Sequence, residues 1–385
     1  MSQLNSNHAN TPLAGLKVLD FSTLLPGPFA TLMLADLGAD VIHVESPTRV
    51  DLVRVAPPYA DGQATAHAYL NRNKQSITLD LKDPASIEQV KQLIAEFDIV
   101  VEQFRPDVMQ RLGLGYDDLK AINPRLIYCS ITGYGQTGSY RNRAGHDINY
   151  VSLSGIAGHS GRQDSGPPAM GIQIADVAGG SLHAVIGILA AVIERHQSQQ
   201  GQHIDISMTD CAFTLNNMAA SAQVAGGEDQ SAEAATLNGG TYYDYFKTAD
   251  GRYISVGSLE PQFMLGLSAA LELPILAQKG ASMFADDRQE VKQAVGQAIA
   301  AKPLAHWQQV FSQLDVCVEP VLTLKEATES KLAQERGWLV DVPLSVDGQQ
   351  HQKQLACPIK FSRSVARYDY VGQQLGEAND QLGAL

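Results

Sequence analysis

Cysteine is scarce. The 385 residues hold four, Cys129, Cys211, Cys317 and Cys357, widely spaced and in no paired motif. That excludes a disulfide framework, and the four are expected to be reduced, mostly structural thiols of a cytoplasmic protein. No cysteine cluster offers metal or redox chemistry. Basic runs are missing as well: 28 Lys and Arg stand against 41 Asp and Glu, for a net charge of −13. A nucleic-acid binder would carry a basic face, so no nucleic-acid partner is expected, although a local basic pocket for an anionic ligand remains compatible. The most apolar helix, near residues 178–194, contains His183 and ends in Glu194 and Arg195. It reads as a buried helix of a soluble protein rather than a membrane span. Residues 1–10 are polar, lack a signal peptide's apolar core and are expected to fray. No internal repeat or low-complexity tract is present.

What remains is an ordinary apolar content of 44%, enough for a sizeable core, in a chain long enough for two domains. Leu16–Phe21 reads as a buried strand, Pro26–Leu37 as a helix with Pro28 in its first turn, and Val41–Val44 as a second strand. Strand, helix, strand in so short a space predicts a parallel α/β sheet. The pattern repeats with strands at Ser76–Leu81, Asp98–Glu102, Arg125–Ile131 and His203–Ser207. Helices are expected from Asp83-Pro84 to about Glu96, at Pro106–Leu112, Asp117–Ile122, about Gly179–His196 and Met208–Val224. The large Rossmann-like domain is placed at 1–225 and a Gly-, Ser- and acid-rich linker at 226–240. A smaller α+β domain at 241–330 opens with a hairpin around Ala249-Asp250-Gly251. The tail, 331–385, has few strong elements and is expected to return to the large domain. Gly133–Gly138 (GYGQTG) fits a dinucleotide fingerprint and follows a strand, but SYRNRAG makes a poor helix start. A turn that admits a ligand to the backbone is the better reading.

The chemistry concentrates in residues 143–176. His146 and Asp147 set an imidazole beside a carboxylate, Asp176 stands at the mouth of an apolar helix, and Glu260 adds a third acid. One imidazole and two carboxylates suit proton transfer or acyl chemistry. Each also has a bland reading. A lone His-Asp pair is more often an ordinary hydrogen-bonded histidine, and Asp176 alone reads as an N-cap for the helix from Gly179. Glu260 before Pro261 equally suits a surface acid. Asp147 reads as a structural acceptor, and Arg105 and Arg111 as solvated charges.

The sequence nevertheless resembles the class III coenzyme A transferases, and within them the α-methylacyl-CoA racemase branch. The resemblance runs over nearly the whole chain, through LAGLKVLDFSTLLPGPFATLMLADLGADVIHVESP (Leu13–Pro47), NRNKQSITLDLK (Asn71–Lys82), FRPDVMQRLGLGYDDL (Phe104–Leu119) and ITGYGQTG (Ile131–Gly138). It implies an α/β fold: a Rossmann-like large domain with a parallel sheet, built from both chain ends, plus a small α+β domain. It also implies a homodimer of interlocked subunits with an active site shared with the partner's small domain. His146 and Asp176 would be the two acid/bases of a 1,1-proton transfer on a 2-methylacyl-CoA, with Glu260 orienting the imidazole. Backbone N–H groups at the helix start after Asp176 would stabilise the enolate. In the transferase alternative Asp176 is the nucleophile. GHDINY (Gly145–Tyr150) is intact here as in racemases, where transferases more often carry Tyr or Phe at the His146 position. No tightly bound cofactor or metal is implied; coenzyme A is part of the substrate. Its contacts are expected at Leu79, Asp80, Leu81 and Lys82, at Gln103, Phe104, Arg105 and Arg111, and at Gly145, Asp147, Ile148, Asn149 and Tyr150. Ser46 departs from the arginine of racemases, with Arg49, Arg54 or Arg72 as possible replacements.

Overall fold

The computed structural model describes residues 10–346 and 348–384. The chain divides into two compact units, one of residues 10–154, 170–215 and 331–384, the other of residues 155–169 and 216–330.

The first unit is built on six parallel strands: β1 (Lys17–Asp20), β2 (Asp40–Glu45), β3 (Lys74–Thr78), β4 (Ile99–Glu102), β5 (Ile127–Thr132) and β6 (His203–Ser207). Their order is β3-β2-β1-β4-β5-β6, so the chain reverses direction across the sheet between β1 and β4. Runs such as KVLD and IYCSIT are buried almost without alternation, as a sheet covered on both faces requires. Helix α1 (Pro26–Asp36) opens on Pro26, whose fixed φ suits a first helical position. Helix α2 (Pro84–Ile94) starts as Asp83-Pro84 predicts, with the Asp83 carboxylate accepting from the Ala85 N–H. Leu19, Ile42, Val44, Ile77, Val100 and Tyr128 join α2 side chains in the core under one face. Helix α3 (Asp147–Leu153) follows β5; a π-helix (Ala175–Leu182) runs on into α4 (His183–Ser198), and α5 (Met208–Leu215) follows β6.

The second unit has a three-stranded antiparallel sheet of β7 (Asp244–Lys247), β8 (Tyr253–Val256) and β9 (Val318–Pro320), with the expected hairpin between β7 and β8. Helices α6 (Pro261–Ala270), α7 (Ala285–Ala300) and α8 (Leu304–Phe311) cover it around Leu267, Val295 and Trp307.

Several boundaries differ from expectation. Residues 155–169 leave the large domain because Arg162 is forked onto Asp244, with Nη1 and Nη2 each 2.6 Å from a carboxylate oxygen. The expected linker also belongs to the second unit: Glu233 accepts from Arg162 at 3.0 Å and from Lys292 at 3.3 Å. The helix expected over Met208–Val224 is two helices, interrupted at Asn216, where the units divide. The tail forms a hairpin of β10 (Leu339–Pro343) and β11 (His351–Leu355) and lies in the first unit, where Gln373 accepts from the Ser76 N–H. Residues 1–9 lie outside the described residues; Asn10 is tied by its side chain to the Arg363 carbonyl.

The continuous helical stretch Ala175–Ser198 is long and apolar enough by composition to cross a membrane. It packs under α1 and the sheet through Ala184, Val185 and Ile188, but Leu182, Ile186 and Ile193 are exposed. The helix is therefore half-buried, not wholly buried as its composition suggested.

Candidate active site

In open α/β sheets ligands bind beyond the carboxyl ends of the strands, near the reversal of strand order. The segments singled out in sequence gather there. Ser46 and Arg49 follow β2, Leu79–Lys82 follow β3, Gln103–Arg105 follow β4, and the glycine turn and GHDINY follow β5.

The helix start that holds phosphates in dinucleotide-binding folds is blocked. Pro26 and Pro28 have no N–H, and the Gly27 N–H between them donates to Gln103 Oε1 at 2.9 Å. A Cβ on Gly27 would sit 2.1 Å from the Ser22 Cβ, so nothing else enters. Gln103 is thus a latch between β4 and α1, and its amide oxygen is not free for a coenzyme. The glycine turn admits the protein's own Tyr150: a Cβ on Gly133 would meet that ring at 2.5 Å, and one on Gly145 at 2.6 Å. The Tyr150 hydroxyl donates to the Gly145 carbonyl at 2.6 Å. Burial pushes this phenol up to about 12, with Asp176, Tyr134 and Asp147 adding to it and Arg105 opposing.

Asp147 organises what lies above. Its Oδ1 accepts the N–H of Ala175 at 2.6 Å and of Asp176 at 3.0 Å, so it caps the π-helix from 28 residues away. Asp176 is therefore inside the first turn and does not cap the helix itself. π-Helical turns are uncommon and frequent at functional sites. The close packing of this one rests on Gly179 and Gly180, whose added Cβ atoms would lie 3.0 Å from the Met208 carbonyl and 3.1 Å from its side chain. Burial pushes the half-buried Asp176 carboxyl up to about 6; the Asp147 carboxylate adds to the shift and His146 opposes it.

His146 precedes α3 on extended backbone and its N–H donates to Asn149 Oδ1 at 3.0 Å. The imidazole is exposed and makes no hydrogen bond among the described residues. Its electrostatic coupling to Asp176 brings the expected imidazole and carboxylate together in one site. The backbone donors differ from expectation. The N–H groups of Ala175 and Asp176 are taken by Asp147 and that of Val177 by the Gln173 carbonyl, whereas those of Asp147 and Ile148 have no acceptor among the described residues. Glu260 stands in the second unit at the N-cap position of α6, exposed and without a side-chain cap bond.

Around the site Arg105, Arg111, Lys82 and Arg49 are exposed cations with no ion pair among the described residues. Of the three replacements considered for Ser46, two are occupied. Arg72, 1% exposed, is bonded to Asp36 and the Leu355 carbonyl, and Arg54 to Glu45 and the Gln373 carbonyl. Ser46 Oγ accepts the N–H of Arg49 at 3.1 Å and so shapes the turn that presents this cation. Leu79 is core, Leu81 packs against it, and Asp80 accepts the Lys82 N–H at 3.0 Å. Phe104 packs on the same core, while Ile148 is 62% exposed.

Residues 13–378 match the model of CoA-transferase family III. The chain is 37% identical to the α-methylacyl-CoA racemase of Homo sapiens over 333 residues, which cover 84% of this chain and 81% of that protein. It is 34% identical to the succinate–glutarate CoA-transferase of Agrobacterium fabrum over 384 residues, 96% of this chain and 94% of that one. A crystal structure of a CAIB/BAIF family protein from Brucella suis superposes with a TM-score of 0.83 at 31% identity, over 97% of this chain and 99% of that one. With its sheet order, the loops at the strand ends and the match over residues 13–378 in agreement, the chain belongs to CoA-transferase family III.

Proposed function

We propose that the protein is a racemase that interconverts (R)- and (S)-2-methylacyl-CoA thioesters by 1,1-proton transfer through an enolate. The observation that carries this reading is the pairing of an unencumbered imidazole, His146, with Asp176, whose carboxyl burial pushes up to about 6. An α-proton of an acyl thioester is weakly acidic, and inversion needs a base on one face of Cα and an acid on the other. In one direction His146 takes the proton and Asp176 returns one; in the other the roles exchange. A carboxyl raised to about 6 serves in both states. The unpaired N–H groups of Asp147 and Ile148 are the donors for the enolate oxygen.

Coenzyme A carries its phosphates as anions, and in this fold the helix start that usually receives them is closed. The unpaired cations Arg49, Lys82, Arg105 and Arg111 take that task, with Arg49 in the place of the arginine absent at Ser46. A second copy of the chain covers Leu182, Ile186 and Ile193 together with Phe213 and Leu215 of α5, and supplies its Glu260 to orient His146.

A second reading has a specific support. The CoA-transferase relative matches 96% of the chain at an identity close to that of the racemase. There Asp176 is the nucleophile, and an acyl anhydride and then a CoA thioester form on its carboxyl.

Incubation of the purified protein with (S)-2-methylacyl-CoA in D₂O, without an acceptor acid, separates the two. The racemase reading expects deuterium at Cα with loss of stereochemical purity, and His146→Ala lowering the rate by at least about a hundredfold. Absence of exchange across a panel of acyl chains, with a covalent adduct on Asp176 and turnover only with an acceptor acid, would overturn it in favour of transfer.

A further inference from the structure

A second proton-bearing cluster lies on the same sheet and has no part in the reaction above. Strand register sets Glu102 of β4 beside Ser130 of β5, and Ser130 beside Asp205 of β6. Three polar side chains therefore cross three strands in a row. Glu102 is 4% exposed, and its Oε2 accepts the Phe104 N–H at 2.8 Å. Its carboxyl interacts with the neighbouring Ser130 hydroxyl, which lies 2.9 Å from His203 Nε2. The His203 ring is stacked on Tyr116 and meets Tyr128 edge-on, which holds Nε2 toward the serine. A cavity of about 190 Å³ adjoins the row, with Arg105 and Gln136 in its lining. Gln136 Nε2 is buried without a partner among the described residues, so the cavity is a polar space.

Ser130 has one hydroxyl proton and stands between two groups that each accept or donate. It donates to an ionised Glu102 while accepting from His203 Nε2–H, or donates to His203 while accepting from a neutral Glu102. The hydrogen bond from the Phe104 N–H is charge-assisted only in the first arrangement, and such bonds are about twice as strong as neutral ones. Phe104 and Arg105 form the turn that the proposed function assigns to the coenzyme. We propose that Glu102, with Ser130 and His203 as its proton partners, is a positioning residue for the Phe104–Arg105 turn through the Phe104 N–H, so that its protonation sets the affinity for CoA thioesters without contact with the reacting atoms. This rests on the reading that the turn binds coenzyme A.

The groups that face Glu102 allow the switch to work near neutral pH. Burial pushes its carboxyl up to about 7, and Asp205 adds to the shift. From β5 and β6 it meets Ser130, Tyr128, Cys129, His203 and Asp205. From the segments after β4, Arg105, Asp107, Tyr116, Asp117 and Asp118 share the lining of the adjoining cavity. Asp107 is paired with Arg141 and Asp117 with Lys120, and Arg105 has no carboxylate partner among the described residues.

Two measurements test the proposal. The first is ligand-free: in protein labelled with ¹⁵N-phenylalanine, the Phe104 amide resonance is expected to titrate with a midpoint near 7 and to be flat in Glu102→Gln. Glutamine keeps an acceptor for that N–H, so an otherwise unchanged spectrum shows that the variant folds. The second is the Kd of dephospho-CoA between pH 5.5 and 8.5, because this ligand lacks the 3′-phosphate whose own titration would mimic the effect. Wild type is expected to bind about tenfold more tightly at the upper end, and Glu102→Gln to vary less than twofold. A flat wild-type profile, or an unchanged profile in Glu102→Gln, overturns the proposal. If the Phe104 amide titrates but no CoA compound binds at any pH, the assignment of the turn to the coenzyme is what fails, and the link to affinity fails with it.

Discussion

Asp20 and Glu102 end neighbouring parallel strands and both are buried, yet they hold protons differently. Asp20 is surrounded by donors: the Ser22 N–H at 2.9 Å, the hydroxyls of Ser22 and Thr31 at 2.5 Å, and Lys74 Nζ at 3.3 Å. Burial pushes its carboxyl up, but Lys74, His43 and the two hydroxyls more than offset that and leave it below the ordinary range. Glu102 has one N–H, one hydroxyl and no cation, and burial carries it up to about 7. Asp176 is less buried than either and faces a carboxylate, Asp147, yet it too rises, to about 6. Depth alone therefore does not set protonation here, nor does a cation alone: Asp36, paired with Arg72, is still held above its ordinary range, and Asp20 falls below because Lys74 and His43 act together with the two hydroxyls. The chain supplies a lysine where the carboxylate fastens the scaffold and withholds one from the two acids that stand at the proposed coenzyme turn and the reaction centre.

The largest effect is expected where the match is broken. Lys74→Met leaves Asp20 buried without its cation, and loss of one partner of a buried pair costs about 3–5 kcal/mol. Urea denaturation should show that loss, and the double variant Asp20→Asn/Lys74→Met should recover most of it. A loss below about 1 kcal/mol for the single variant would mean that the hydroxyls, not the lysine, keep Asp20 ionised.

The converse experiment concerns Glu102. Its folded pKa, about 7, exceeds its ordinary value of 4.5, so between these values the folded state binds more protons than the unfolded state. Stability contributed by this group is therefore full below about pH 4.5, falls as pH rises to about 7, and is flat beyond. At about 1.4 kcal/mol per pKa unit the loss is about 3 kcal/mol. Glu102→Gln has no charge to bury, so its stability relative to wild type should climb by that amount between pH 4.5 and 8. Parallel curves for the two proteins would place the carboxyl in a wetter setting than its 4% exposure indicates.

The two kinds of acid were not equally legible. Strand runs, the Asp83-Pro84 helix start and the turn at Ala249-Asp250-Gly251 were readable because each depends on neighbours in sequence. The loops proposed for the coenzyme came from the family resemblance, and the strand ends then gather them at one edge of the sheet. What escaped depends on distant partners. Asp147 caps a helix 28 residues onward, and Arg162 removes 155–169 from the large domain by pairing 82 residues away. No local pattern separates Arg72, bound at Asp36, from the free Arg49. In sequence Glu102 is one acid at the end of an apolar strand; only the register that sets it against Ser130, and Ser130 against Asp205, reveals the row. A run of VVEQ followed by CSI and DIS carried the alternation that would have predicted it, had the strand order been known.

The smallest expected effect is the most specific. Asp147 acts on Asp176 in two separable ways: it holds the backbone through Oδ1 and raises the carboxyl through its charge. Asp147→Asn keeps an oxygen for the two N–H groups and removes the charge. The Asp176 pKa should then move down, by about one unit and so about 1.4 kcal/mol, with the π-helix intact. One proton is shared between His146 and Asp176 in either direction, and the equilibrium between the enantiomers fixes the ratio of kcat/KM, so the acid limb of α-proton exchange should move to lower pH equally from both enantiomers. A profile displaced along the pH axis with its plateau kept is what a charge effect produces. A lower plateau at an unchanged pH would instead assign Asp147 to the backbone alone, and burial would then account for the whole rise of Asp176.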